Sequence, residues 1–286
     1  MMHPPESAAG NVSGEWVQAA LWCDDFQAAE LAAVTHVRPR LAEAADITGW
    51  WFIRKGPCWR LRIQPAPGRR DAAAAALAAM LTDADPVRRW AWGIYEPETI
   101  AFGGPAGMDL AHTLFVADTD HLLAHLTDAL DGTPDHRREA ALLLSGALMR
   151  AARQDWYEQG DIWAAVAAHR PTPSHPRPAG PAAKQAVRRL ISAEPAPGGP
   201  LATAGWVAAF ETAGAALADL VQRGALTRGL RAVLSHHILF AWNRAGVPAA
   251  DQHQLAATAA DLVFHDPPVD VVNCGIHAGS ATTLTP

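Results

Sequence analysis

Apolar and polar positions in the first hundred residues alternate in short runs, whereas those that follow recur in long helical stripes. Trp16 to Cys23 (WVQAALWC) has the apolar density of a strand and is followed by Asp24-Asp25. A helix from about Phe26 to Leu41 is therefore expected, with Asp25 as its N-cap. Trp50 to Ile53 and Trp59 to Ile63 read as two strands joined by a Gly56-Pro57 turn. In the second, Trp59, Leu61 and Ile63 alternate with Arg60 and Arg62, which predicts one apolar and one cationic face. Ala72 to Leu81 reads as a helix and Trp90 to Glu96 as a further strand.

Met108 to Leu130 and Arg137 to Arg153 are long apolar-periodic helices, and Asp161 to Ala168 begins another turn or helix. Residues 170–200 are dense in proline and glycine, with a short amphipathic insert near Val187 to Ile191, and read as a linker or surface excursion. Trp206 to Gln222 and Leu230 to Arg244 are two more helices. Strands first and helices later predict an α+β fold: a mostly antiparallel sheet with helices packed on one side. The expected organisation is a disordered lead-in over residues 1–14, one catalytic domain over 15–265, and a tail over 266–286.

Composition narrows the class. The formal net charge of -6 argues against bulk nucleic-acid binding. Its cations are nearly all arginine, whose planar fork suits carboxylate recognition. Cys23, Cys58 and Cys274 have no metal-like spacing, so neither a disulfide framework nor a zinc site is expected. The first twelve residues lack a signal-peptide pattern, and no stretch approaches the ~18 uncharged apolar residues of a membrane span. A soluble cytoplasmic protein is expected. Phosphate loops, dinucleotide fingerprints, nucleophile elbows and zinc-protease motifs are missing, so no cofactor or metal is predicted.

Four segments carry candidate chemistry. Trp50 to Ile63 (WWFIRKGPCWRLRI) is either a solvated strand face or a slot for an extended acidic peptide, with Arg54, Arg60 and Arg62 supplying charge. Tyr95 to Gly104 (YEPETIAFGG) is a loop in which Glu96 or Glu98 either caps the next helix or serves a site. In Gln154 to Asp161 (QDWYEQGD), Tyr157 and Glu158 can exchange protons and Asp155 can hold a peptide, or the aromatic pair simply plugs a helix end. In Leu230 to Arg244, Leu230, Val233, Leu234, Ile238 and Ala241 form the core stripe, and His237 on its edge reads as a satisfied core histidine. His236, beside Ser235 and on one face with Phe240 and Asn243, is an acid/base candidate.

In this order the four segments, WWFIR–RLR, YEPET–FGG, DWYEQGD and HH–NR, resemble the thiopeptide-type bacteriocin biosynthesis proteins. These are relatives of the glutamate-elimination domain that ends lanthipeptide dehydratases. The resemblance covers Trp16 to about Val263 and implies a pyridine synthase. Such an enzyme joins two dehydroalanines of a leader-bearing dehydrated peptide in a formal [4+2] aza-cycloaddition, then expels water and the leader. For that chemistry Tyr157, Glu158, Ser235, His236 and Asn243 are side chains of the right types to be the catalytic groups, and Arg54, Arg60, Arg62, Tyr95, Glu98 and Asp155 are expected at the peptide site. The elimination pattern carries an arginine before its Tyr-Gly-Gly. Here the loop reads Glu96-Pro97-Glu98-Thr99 and Phe102 precedes the glycines, which weighs against glutamate expulsion. The competing readings are a split dehydratase subunit, an amino-acid transferase using tRNA, and a non-catalytic leader-binding scaffold.

Overall fold

The computed structural model describes residues 16–171, 179–193 and 201–265. The expected lead-in, the tail and Cys274 lie outside them. Four strands, β1 Val17–Trp22, β2 Ile47–Lys55, β3 Cys58–Pro65 and β4 Arg89–Gly93, form an antiparallel sheet in the order β2-β3-β1-β4. Between β1 and β2 the chain runs through α1 (Phe26–Ala32), a π-helical turn (Ala33–Val37) and α2 (Arg38–Glu43). Between β3 and β4 it runs through α3 (Arg70–Thr82). This is the split β-α-β arrangement. Asp25 caps α1 as expected, its carboxylate accepting from the Ala28 amide at 2.7 Å.

One face of the sheet is apolar. Val17, Ala19 and Leu21 stand in register with Ile63, Leu61 and Trp59, and all pack against Ala29, Ala33 and Val37 of the first crossover and Leu77 and Leu81 of α3. On the opposite face lie Gln18, Trp51, Arg60 and Arg62, paired Gln18↔Arg62 and Trp51↔Arg62 across the strands. Arg60 and Arg62 thus share the cationic face. Arg54 does not: the hairpin register sets it opposite Trp59, and directly opposite residues share a face. Its guanidinium lies 4.6 Å from the Trp59 ring, on the apolar side. The run Trp51, Phe52, Ile53 is buried without alternation because the second face is also covered at β2, where Phe102, Met108 and Phe115 pack on Trp51 and Ile53.

The rest is helical: α4 Pro105–Leu130, α5 Arg137–Ala151, α6 Trp156–Ala168, α7 Pro181–Ser192, α8 Ala204–Gln222, α9 Leu230–Ala245 and α10 Ala249–His265. Their core gathers Leu148, Trp163, Phe210 and Trp242. It also buries the ion pair Arg244–Asp118 at 2.6 Å, with the Trp206 indole donating to the same carboxylate at 2.7 Å.

One expectation changes here. Residues 179–193 are not a bare excursion, since Val187 and Ile191 of α7 are buried and Lys184 pairs with Asp261 of α10. Helix α10, for which the sequence pattern offered no expectation, packs through Ala256, Ala259, Leu262 and Val263, with Gln252 and Thr258 buried beside them. Among the described residues α8 is long and apolar enough to cross a membrane, yet it packs on α5 and α4 as a core helix.

Candidate functional site

A cleft of about 360 Å³ opens on the polar face of the sheet. Gln18, Arg60 and Arg62 form its floor, Ile94–Glu98 one wall, and Trp51, Phe102, Met108 and Phe240 an apolar side. The wall exists because β4 ends at Gly93, so Tyr95 and Glu96, expected in the strand, fall in the loop that follows. Gly103 and Gly104, both at positive φ (84° and 102°), turn the chain into α4 without a side-chain cap. Glu96 and Glu98 therefore do not cap the helix and stay exposed at the cleft.

Arg62 is the centre of the floor. Its guanidinium lies 4.2 Å from the Trp51 ring and 4.4 Å from the Tyr95 ring, stacked on aromatic faces that attract the cation. Nε donates to Gln18 Oε1 at 2.8 Å, while the buried Nη1 has no protein partner. Burial pulls Arg62 down to about 10, where it is still a cation at neutral pH. The Tyr95 hydroxyl sits 2.7 Å from His112 Nε2. Burial raises the Tyr95 phenol above its ordinary value and depresses His112 to about 4, so both are neutral near pH 7.

Of the expected peptide-site residues, Arg60, Arg62, Tyr95 and Glu98 come together in this cleft. Arg54 is elsewhere, bound to Glu30 and donating from Nε to the Arg244 carbonyl at 2.8 Å. Asp155 and Glu158 form a reciprocal capping box on α6, a local helix-start function. Tyr157 is exposed on the first turn of α6, while the adjoining Trp156 donates to the Val263 carbonyl of α10. The far end of α6 meets α9, with the His169 and His236 rings 5.1 Å apart. Tyr157 lies twelve residues before His169, about 18 Å along the helix. The two helices pack together, with Arg231 of α9 on Asp161 at 2.6 Å and the Trp163 and Trp242 rings 5.8 Å apart, but Tyr157 stands at the end of α6 away from His236.

On α9, Ser235 is buried and donates to the Ala232 carbonyl at 2.8 Å. Asn243 accepts from Arg170 and Gln252, tying α9 to the end of α6 and to α10. His236 stands behind the cleft, its ring 6.3 Å from that of Phe102, and burial lowers its pKa. His237 is buried against Phe102, but neither ring nitrogen has a protein partner, so it is a core histidine without the satisfaction expected of it. Trp51, Phe102 and Phe240 fall in the segments singled out by sequence, whereas Gln18, Met108 and His112 escape a reading by motif. Strand alternation would have placed Gln18 on the face opposite Val17 and Ala19, and helical spacing would have placed His112 one turn from Met108.

The fold is found in solved structures. The tRNA-dependent lantibiotic dehydratase MibB from Microbispora sp. 107891 superposes with a TM-score of 0.61 at 17% identity, over 95% of this chain and 29% of that one. The chain therefore spans about three tenths of that protein's length. TsrL gives a TM-score of 0.59 at 14% identity, over 88% of this chain and 95% of its own. TbtD, a pyridine synthase from thiomuracin biosynthesis, gives 0.54 at 17% identity, over 87% and 98%. No curated protein matches the sequence. The profile of the lantibiotic biosynthesis dehydratase C-terminal family matches residues 16–263, nearly the whole described chain, and the protein belongs to that family.

Proposed function

We propose that the chain is a pyridine synthase acting on a leader-bearing peptide that carries two dehydroalanines. The reading rests on one observation, the make-up of the cleft. Its lining has an apolar aromatic side, a cationic floor and two carboxylates, but no serine, threonine or cysteine to act as a covalent nucleophile. That set suits a reaction driven by positioning and proton transfer. Holding two alkenes and an amide at near-attack distance can contribute ~7 kcal/mol or more.

In the proposed reaction one amide, as its iminol, forms a 2-azadiene with the adjoining dehydroalanine. The second dehydroalanine adds across it. Two carbon–carbon bonds form, the iminol hydroxyl leaves as water, and the leader leaves as a carboxamide, so no oxidant is needed. Trp51, Phe102, Met108 and Phe240 would exclude water from the alkenes, and Glu96 and Glu98 would exchange protons. Arg60 and Arg62 would hold peptide carbonyls or an acidic leader segment.

Glutamate elimination is the second reading, and the unpartnered Nη1 of Arg62 favours it, since a leaving carboxylate could bind there. Against it stand Glu96 and Glu98 on the facing wall, which would repel that carboxylate. Mass spectrometry decides between the two. Pyridine synthesis releases the leader carboxamide from a dehydrated precursor, whereas elimination removes glutamate from a glutamylated one and leaves the dehydrated precursor unchanged.

A further inference from the structure

We propose that Tyr95 is the hydrogen-bond donor the cleft presents to the reacting amide, and that His112 is the residue positioning it. This rests on the ring-closure reading above. Tyr95 is the only hydroxyl among the residues lining the cleft. Its ring is fixed on two sides, by the Arg62 guanidinium at 4.4 Å and by the Trp51 ring edge-on at 5.7 Å. Its hydroxyl is fixed by His112 at 2.7 Å.

His112 is built for this contact. It occupies the core-facing side of α4, 9% exposed, with its ring 4.9 Å from that of Trp16. The charged groups around the pair are Arg62 on the floor, Glu98 on the wall and Asp109 on α4 itself. A neutral imidazole carries a single N–H. With that hydrogen on Nε2, His112 donates to the phenol oxygen, and the phenol O–H is left free to donate to another acceptor.

The assigned step is withdrawal of the amide proton. The N–H bond breaks and its proton goes to the Glu98 carboxylate. The electron pair left on nitrogen forms the C=N bond, and the carbonyl π pair moves onto oxygen. Tyr95 donates to that oxygen as its negative charge builds, the task of an oxyanion-hole donor, and the proton held by Glu98 then passes to the oxygen to complete the iminol hydroxyl that later leaves as water. A phenol suits the task because it stays protonated and adds no charge to an apolar site.

The test uses the full chain and a dehydrated, leader-bearing precursor. Tyr95→Phe and His112→Leu should each lower kcat about a hundredfold with KM for the peptide unchanged. The double variant should be no slower than either single one, because both remove the same hydrogen bond. His112→Gln, which retains an N–H near the Nε2 position, should recover most of the rate. An independent readout is tyrosinate absorbance in a Tyr157→Phe background, which leaves Tyr95 as the single tyrosine. Its titration midpoint should move in His112→Leu and return toward its original place in His112→Gln. Additive rate losses, wild-type turnover by Tyr95→Phe, or an unmoved midpoint in His112→Leu overturns the assignment and leaves ring closure standing. A wild-type protein that closes no ring overturns ring closure, and the donor assignment falls with it.

Discussion

Arg62 and Gln18 stand directly opposite each other on β3 and β1, joined by an Nε–Oε1 hydrogen bond of 2.8 Å. The same glutamine donates from Nε2 to the Ile94 carbonyl at 3.0 Å. One cross-strand pair therefore holds the cleft floor and the start of its wall. Gly93 makes room for it, since a Cβ there would come within 2.6 Å of Gln18 Nε2.

Replacing Gln18 by leucine leaves the buried Arg62 Nε without its acceptor and frees the Ile94–Glu98 wall. Chemical unfolding should show a loss of about 1–3 kcal/mol. Peptide affinity should fall as well. Unchanged values for both would mean that the pair positions nothing.

Arg54 and Arg60 should behave oppositely, although the sequence groups them. Arg54→Ala strips a buried guanidinium from Glu30 and from the Arg244 carbonyl and should cost about 3 kcal/mol of stability. Arg60→Ala, in the open cleft, should shift stability by no more than about 0.5 kcal/mol. It should nevertheless weaken binding of an acidic peptide and flatten the salt dependence of that binding. Calorimetric titration at two ionic strengths, beside thermal melts, reads both.

Acid should destabilise the fold in two stages. His112 and His237 are depressed by burial to about 4 and about 3, so the unfolded chain takes up their protons first. Stability should start to fall below about pH 6.5, the ordinary histidine value. Glu30 is held low by Arg137 and Arg54 against the opposing effect of burial, and Asp135 by the His125 ring 3.5 Å away and by hydrogen bonds from Arg137. Their contributions are present above the ordinary carboxylate range, about pH 4, and vanish as pH drops through their folded values. Melting temperature against pH should show both stages, and His237→Phe should flatten the first. A melting temperature constant from pH 7 to 5 would contradict this account of the histidines. His237→Ala should lower stability at neutral pH by leaving a cavity beside Phe102, and the deficit should shrink in acid as the wild type meets the cost of its buried histidine.

His236→Ala should slow product formation, because the ring backs Phe102 and lies in the field of Glu98. Tyr157→Phe should leave turnover at the wild-type rate, given its exposed place on the first turn of α6. Single-turnover assays on both variants check this, and a large loss in Tyr157→Phe would return the start of α6 to the site.

Local rules account for what could be read directly from the residues. Alternation fixed the apolar and cationic faces of β3, Asp25 announced its helix, and Gly103-Gly104 announced the turn into α4. Each of these depends on neighbours a few residues apart. The site does not. Arg54 and Arg62 belong to one hairpin, but strand register sends them to opposite faces, one into a buried ion network and the other into the cleft. Gln154–Asp161 and Ser235–Asn243 look like partners by chemistry. Their helices do pack together, yet Tyr157 and His236 are parted because His236 meets α6 at its far end. His112 and Gln18 acquire their meaning from contacts 17 and 44 residues away. Periodicity records which way a side chain points, and packing alone decides what it meets there.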